Sequence, residues 1–534
     1  MRVDKLYLKD FRNLSNFEID FDEDSPRTVL IGRNGVGKTN LLEALTRIFR
    51  QLDLRERPDF EYKIQYSCSG HVIQVEATRT KDKADKIAIS FKVAAQGDID
   101  IDAVESISES AFYRLNDSTR LLPKHVFGYY SGASSRFRNL FSQHTEIYRD
   151  QLIAGEEDTI RPLFLAEDWH SQFVLLAFYS KRDPEIDKFL KSQFGITGLE
   201  SVLFALNEPY WYKKEPSPEV RARGDERYWW AAGTVKTFLG KLHDQALAPM
   251  ETTEKVPVGI RRTKTKEHRY CYIKSHEDLI AIAHDIDQKE FFKRLESTVM
   301  SDLLREVKIR FHVENQNSLL SFDDLSEGEQ QLLTVLGLLR FTNQDESLFL
   351  LDEPDTHLNP AWCLDYLDIL TNYGGGLNNS QIIMTTHSPL VFAGLKKNEV
   401  ILLQKREIDA EIYAEHPASD PKGMGFSAIL TSEFFGLRMA LDRETTDLLD
   451  EKRRLGSLEY RSPKDEERLA ELNKEIGELD FSNEVRDPLY KDFVRAMTDL
   501  ENSDPEIGAT VLTPDAVERR RELAKKILSQ IKNK

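Results

Sequence analysis

Residues 28–49 constrain this chain more than any other stretch. They contain an apolar run, Thr28-Val29-Leu30-Ile31, then Gly32-Arg33-Asn34-Gly35-Val36-Gly37-Lys38-Thr39, then an amphipathic helix. The turn matches GxxxxGK[ST] and sits between a strand that reads as covered on both faces and a helix, the placement its chemistry requires. Glycines there let backbone N–H groups surround phosphate oxygens, and the helix N-terminus adds favourable partial charge. Arg33, Asn34, Gly35, Val36, Gly37, Lys38, Thr39 and Asn40 are therefore candidate nucleotide-binding residues. Lys38 is placed to reach the β- and γ-phosphates and Thr39 to ligate Mg2+, so ATP and Mg2+ are the expected cofactors. The expected fold class is α/β.

Three later segments add chemistry. Leu348-Phe349-Leu350-Leu351-Asp352-Glu353 is an apolar strand ending in two carboxylates. Beside a phosphate loop, Asp352 is a second candidate metal ligand, and Glu353 is a candidate base that polarises the attacking water. Leu325-Ser326-Glu327-Gly328-Glu329 opens a helix with an S-x-x-E capping box. An exposed Ser and Gly at a helix N-terminus make a ready anion site, so Ser326, Gly328 and Glu329 are also candidate nucleotide contacts. Ile382-Ile383-Met384-Thr385-Thr386-His387 reads as another apolar strand, ending in His387, a candidate catalytic contact to the γ-phosphate.

In this order, GRNGVGKT, LSEGEQ, LFLLDEP, Asp355-Thr356-His357-Leu358-Asn359-Pro360 and TTHSP resemble the heads of ABC-type ATPases of the SMC, RecF and OLD kind. The opening Leu8-Lys9-Asp10-Phe11-Arg12-Asn13-Leu14 is similar to their first-strand motif, which implies that Arg12 and Asn13 lie near the nucleotide. The resemblance implies an ABC-type P-loop head: a mixed sheet with an antiparallel lobe, a large mostly helical insert and a C-terminal helical region. The expected segments are an ATPase lobe over 1–95, the insert over 96–304, the second ATPase half over 305–434 and a docking region over 435–534. It also implies an ATP site completed by the signature helix of a second head, hence a homodimer or higher oligomer. The Q-loop glutamine usual in such heads has no equivalent around Tyr129-Tyr130-Ser131-Gly132, which implies slow hydrolysis.

The insert is too short for SMC-length coiled coils, and Cys68, Cys271 and Cys363 are too scattered for a zinc hook or a disulfide framework. No D-x-D metal pair follows Leu390, so no intrinsic nuclease is expected. The Gly423–Leu437 region and the helical stretches beyond it look like the PtuA family, ATPase subunits of Septu and retron-associated anti-phage systems. That likeness implies a sensor and scaffold controlling a separate HNH nuclease, with DNA or retron RNA–DNA as a further candidate partner. The alternative is a RecF-like repair ATPase that clamps DNA without a nuclease.

The net charge of −18 argues against a surface coated in nucleic acid, although Arg261, Arg262, Lys264, Lys266 and Arg269 form one basic run. Tyr210-Trp211-Tyr212 and Tyr228-Trp229-Trp230 read as core or interface, with base stacking as the sharper alternative. Leu469, Leu472, Ile476 and Leu479 form a narrow apolar stripe that needs packing against something else. There is no apolar run of bilayer length and no signal-peptide pattern at the start, so a cytoplasmic protein with no membrane partner is expected.

Overall fold

A computed structural model describes residues 1–478 except for short segments (81–86, 98–99, 133–134, 158–160, 260–261, 315–317, 343–344, 375–378, 407–409, 457 and 459), together with 496, 519 and 522–527. Residues 1–435 form one compact unit and 436–534 another.

Strands β1 (Arg2–Phe11), β2 (Leu14–Asp20) and β3 (Arg27–Ile31) precede the helix Lys38–Asp53. A meander follows: β4 (Tyr62–Cys68), β5 (His71–Arg79) and β6 (Ile87–Ala95). The middle of the chain supplies β7 (His125–Tyr130), β8 (Leu163–Leu165), β9 (Ile196–Asn207), β10 (Met250–Gly259) and β11 (Arg262–Ile273). Then come β12 (Leu304–Val313), β13 (Leu320–Ser321), β14 (Ser347–Asp352), β15 (Ser380–Thr385), β16 (Val400–Lys405) and β17 (Ile412–Glu415).

These strands form three sheets: β2-β1-β4-β5-β6, β10-β11-β9-β12-β13, and a seven-stranded β17-β16-β3-β15-β14-β7-β8. The first two are antiparallel. The third is parallel apart from β17, so its six other strands present their C-terminal ends to one edge.

That sheet separates two hydrophobic cores, and its side chains alternate between them with the period of two that a strand imposes. Val29 and Ile31, Phe349 and Leu351, and Ile382 and Met384 point into one core. Leu30, Leu348, Leu350 and Ile383 point into the other. The Lys38–Asp53 helix and the antiparallel lobe cover the second core; the helix Glu327–Thr342 and much of the middle segment cover the first. Every apolar residue of these strands is therefore used, which explains why they read as continuous apolar runs.

The middle segment, expected as a mostly helical insert over 96–304, carries more helix than strand, but it also contributes strands to two sheets. It places β7 beside β14 and β8 beside β7 inside the ATPase sheet, and adds β9–β11 to a separate antiparallel sheet. The β10–β11 hairpin carries charges and threonines on both faces, so it lacks the apolar alternation that would mark it as strand.

In the second unit, the helices Arg443–Gly456 and Pro463–Glu478 pair with each other. Leu469, Leu472 and Ile476 pack against Leu448, Leu449 and Leu455, so the stripe expected to need an outside partner is covered by its neighbouring helix. Leu479 lies outside the described residues. No helix among the described residues is long and apolar enough to cross a membrane.

Candidate functional site

Three strand ends meet at the C-terminal edge of the parallel sheet. Beyond β3, the loop adopts left-handed conformations at Gly35 (φ 85°) and Gly37 (φ 90°), which strain any residue with a Cβ. A Cβ on Gly37 would come within 2.8 Å of the Leu14 side chain and 2.9 Å of Asn13 Oδ1, so the lobe grips this loop closely. Asn13 Nδ2 donates to Gly35 O (2.8 Å), and Asn40 Nδ2 donates to Asn13 Oδ1 (2.6 Å). Asn13 thus braces the loop from behind. Arg33 and Asn34 are exposed on it and Val36 is buried.

Lys38 Nζ donates to Gly32 O (2.9 Å) and lies 2.9 Å from His387 Nε2. His387 Nε2 is in turn 3.2 Å from Glu353 Oε1. Burial lowers the Lys38 pKa below its ordinary value. Burial also lowers that of His387, and the adjacent Lys38 ammonium adds to the effect. Both shifts favour the uncharged form of the groups, a neutral imidazole over an imidazolium beside Lys38.

Thr39 Oγ1 donates to Asp352 Oδ2 (2.7 Å), whose other oxygen accepts from Thr385 Oγ1 (2.6 Å). Burial raises the Asp352 carboxyl above the usual carboxylate range, and Glu353 adds repulsion. Glu353 takes a left-handed turn (φ 51°), fixed by its N–H donating to Thr385 Oγ1 (3.0 Å), immediately after the strand. Hydroxyl and carboxylate oxygens 2.7 Å apart form a hard-donor pair suited to Mg2+, which usually takes few protein ligands and completes its shell with phosphate and water. Among the described residues no three His, Cys, Asp or Glu side chains gather into a metal cluster.

Arg12 and Arg136 flank this edge, and sequence reasoning missed the second. Arg12 Nη2 bonds Glu43 Oε1 (2.5 Å) and Arg136 Nε lies 3.1 Å from Glu43 Oε2, so a carboxylate that is only 1% exposed sits between two guanidinium groups. Arg136 also donates to Asn40 Oδ1 (3.0 Å). Arg12 is therefore committed to Glu43 on the loop's helix.

The helix Glu327–Thr342 begins with the expected capping box: Ser326 N–H donates to Glu329 Oε2 (2.7 Å) and Glu329 N–H to Ser326 Oγ (3.3 Å). Gly328, expected to be exposed, is buried. A Cβ there would lie 2.4 Å from His357 O, so glycine is required for the helix to rest on the loop after β14. No hydrogen bond among the described residues joins Ser326, Gly328 or Glu329 to the phosphate loop of the same chain.

Behind the edge, Asp355 and Gln331 are further residues that sequence reasoning left without a role. Asp355 Oδ2 accepts from Thr386 Oγ1 (2.7 Å), and Gln331 donates to Pro354 O. Burial pushes the Asp355 carboxyl up to about 6.

The other candidates are accounted for structurally. Tyr228 and Trp229 are core, with Arg269 over the Trp229 ring at 4.8 Å, so they are no stacking platform. In the basic run, Lys266 donates to Glu208 O (3.1 Å) and Arg269 pairs with Glu251 (3.3 Å). Arg261 lies outside the described residues. Two members of that strip are thus committed to contacts within the chain.

A phosphate loop, a carboxylate strand and a histidine strand converging on one parallel-sheet edge define a P-loop ATPase of the SMC/RecF-like class. Within that class, the family described as "AAA domain, putative AbiEii toxin, Type IV TA system" matches residues 27–393, and the chain belongs to it. Among curated relatives, a "Septu protein PtuA" of Bacillus mycoides (strain KBAB4) is 35% identical over 128 residues, 23% of this chain but only 18% of that protein. A "Retron Vc95 probable ATPase" of Vibrio cholerae serotype O1 biovar El Tor is 23% identical over 80% of this chain and 78% of its own length. Among solved structures, an "SMC head domain from Thermotoga maritima" overlaps 78% of this chain and 99% of that domain at 13% identity, with a TM-score of 0.32, too loose to carry any inference.

Proposed function

We propose that the chain binds ATP with Mg2+ at this edge and hydrolyses it slowly, as the sensor and scaffold of an anti-phage defence complex that controls a separate HNH nuclease. The observation that carries the ATPase reading is the set of close contacts among Lys38, His387 and Glu353 on one side and Thr39 and Asp352 on the other. The defence role is supported by likeness to the PtuA and retron ATPase relatives.

In this reading the loop amides and Lys38 hold the phosphates. Thr39 and Asp352 hold Mg2+, which neutralises phosphate charge when bound. Glu353 accepts a proton from the attacking water, and neutral His387 keeps Lys38 and Glu353 apart while facing the γ-phosphate. Ser326 and Glu329, which make no hydrogen bond to their own phosphate loop among the described residues, contact that of a second head.

The test is radiolabelled ATP binding and turnover by the full chain and by E353Q, followed by co-purification with a neighbouring small HNH protein. Wild-type turnover in E353Q would remove the base assignment; failure of the nuclease to co-purify would remove the defence-complex reading and leave the ATPase standing.

A further inference from the structure

The phosphate loop turns through two left-handed glycines, so its shape depends on what holds it. Three hydrogen bonds run to it from a distant part of the chain. Arg136 Nη2 donates to Asn40 Oδ1 (3.0 Å), Asn40 Nδ2 to Asn13 Oδ1 (2.6 Å), and Asn13 Nδ2 to the carbonyl of Gly35 (2.8 Å). A guanidinium only donates and a backbone carbonyl only accepts, so the two ends fix how both amides between them are turned. Each amide accepts at its oxygen and donates at its nitrogen. The bonds run head to tail from a full positive charge, and each polarises the next.

Arg136 lies in the first turn of the helix Ser135–Ala154, within the middle segment. That helix meets the helix Lys38–Asp53 again at His144, whose Nε2 is 2.9 Å from Asp53 Oδ2. Further along, Tyr148 Oη lies 2.9 Å from Ser297 Oγ and Arg149 Nε donates to Met300 O (3.1 Å). The helix is thus fastened to the phosphate-loop helix at one end and to the helix Gln288–Met300 towards the other.

We propose that Arg136 is a positioning residue for the nucleotide: through Asn40 and Asn13 it holds the phosphate loop in its binding shape, and it joins that loop to the middle segment. Arg136 acts through the loop rather than on the phosphates. This inference rests on the ATPase reading.

The test is isothermal titration of the full chain with ATP and Mg2+, with turnover measured at saturating ATP. Arg136→Ala should weaken ATP about tenfold, the scale of one lost charge-assisted hydrogen bond. Turnover at saturation should stay unchanged, because Thr39, Asp352 and Glu353 keep their contacts. The variant keeps its fold, since buried Glu43 still has Arg12 as a partner. Asn40→Ala should weaken ATP at least as much, and adding Arg136→Ala to it should cost nothing more, because the relay is already cut. His144→Leu frees the same helix from Asp53 without touching the relay, so it should lower the melting temperature and leave ATP affinity alone. Wild-type affinity in Arg136→Ala, a loss confined to turnover, an additive loss in the double variant, or an equal loss of affinity in His144→Leu would overturn the inference. A wild-type chain that takes up no ATP would instead remove the ATPase reading on which it rests.

Discussion

The phosphate-loop edge and the start of the Glu327–Thr342 helix carry complementary halves of one chemistry, yet they are built in opposite ways. At the edge, residues from three strand ends close on one another: Thr39 on Asp352, Lys38 on His387, His387 on Glu353. At the helix start, the side chains of Ser326 and Glu329 bond each other, while Gly328 is locked onto the loop behind. The first is a pocket complete in its own polar groups. The second is a platform whose Ser326 and Glu329 make no hydrogen bond to the phosphate loop among the described residues. The proposed site shared between two copies rests on that asymmetry.

The largest effect that would break the comparison is at the edge. Lys38→Ala should cut ATP affinity by on the order of 100-fold, because it removes the charge-assisted contact to the phosphates. Isothermal titration checks this. Glu353→Gln should keep ATP but lower turnover by roughly 10²–10³-fold, the scale of losing a positioned base, and should hold heads together in size-exclusion chromatography with ATP.

The platform is probed by mixing. Ser326→Arg alone and Lys38→Ala alone should each be inactive, whereas a 1:1 mixture should recover about a quarter of wild-type turnover if two composite sites pair at random. A mixture no more active than either variant would sink the shared site.

Asp355 gives a smaller effect with a definite sign. Its carboxyl is raised to about 6 by burial, so the folded chain holds a proton that the unfolded chain releases above its ordinary value of 3.8. Stability from this group is therefore gained as pH falls through that window and lost as pH rises past about 6. Asp355→Asn should be more stable than wild type at pH 7.5, by on the order of 2 kcal/mol, with the gap closing near pH 4. Thermal melts across pH measure it. Smallest is Ser326→Ala, which removes one cap and should cost about 1 kcal/mol in a denaturant melt.

The elements that hold the phosphate edge were legible in the sequence because their chemistry is local. GRNGVGKT fixes strand, loop and helix within about twenty residues, and the apolar runs before Asp352 and His387 announce strands buried on both faces. Arg136 and Glu43 were not legible. Glu43 lies on the buried face of an amphipathic helix, and its partners Arg12 and Arg136 come from distant segments that only the fold brings together. The same holds for β7: nothing local in His125–Tyr130 says that it pairs with β14 rather than standing in an insert. Gly328 shows the converse. Its motif was read correctly as a cap, but its burial depends on the His357 carbonyl, which no spacing within the motif reveals.

Gln331 donates to Pro354 O, and three residues earlier Gly328 presses on His357 O. One residue past Pro354, Asp355 holds Thr386, the neighbour of His387. Two hydrogen bonds and one close contact therefore run from the outer platform to the imidazole beside Lys38. These contacts offer a route by which a push on the helix cap of one copy would reach that copy's own histidine without crossing the nucleotide. Paired heads wired like this would fire in step, and weakening a single link, as in Gln331→Leu, would show as lost cooperativity while affinity at each pocket stayed intact.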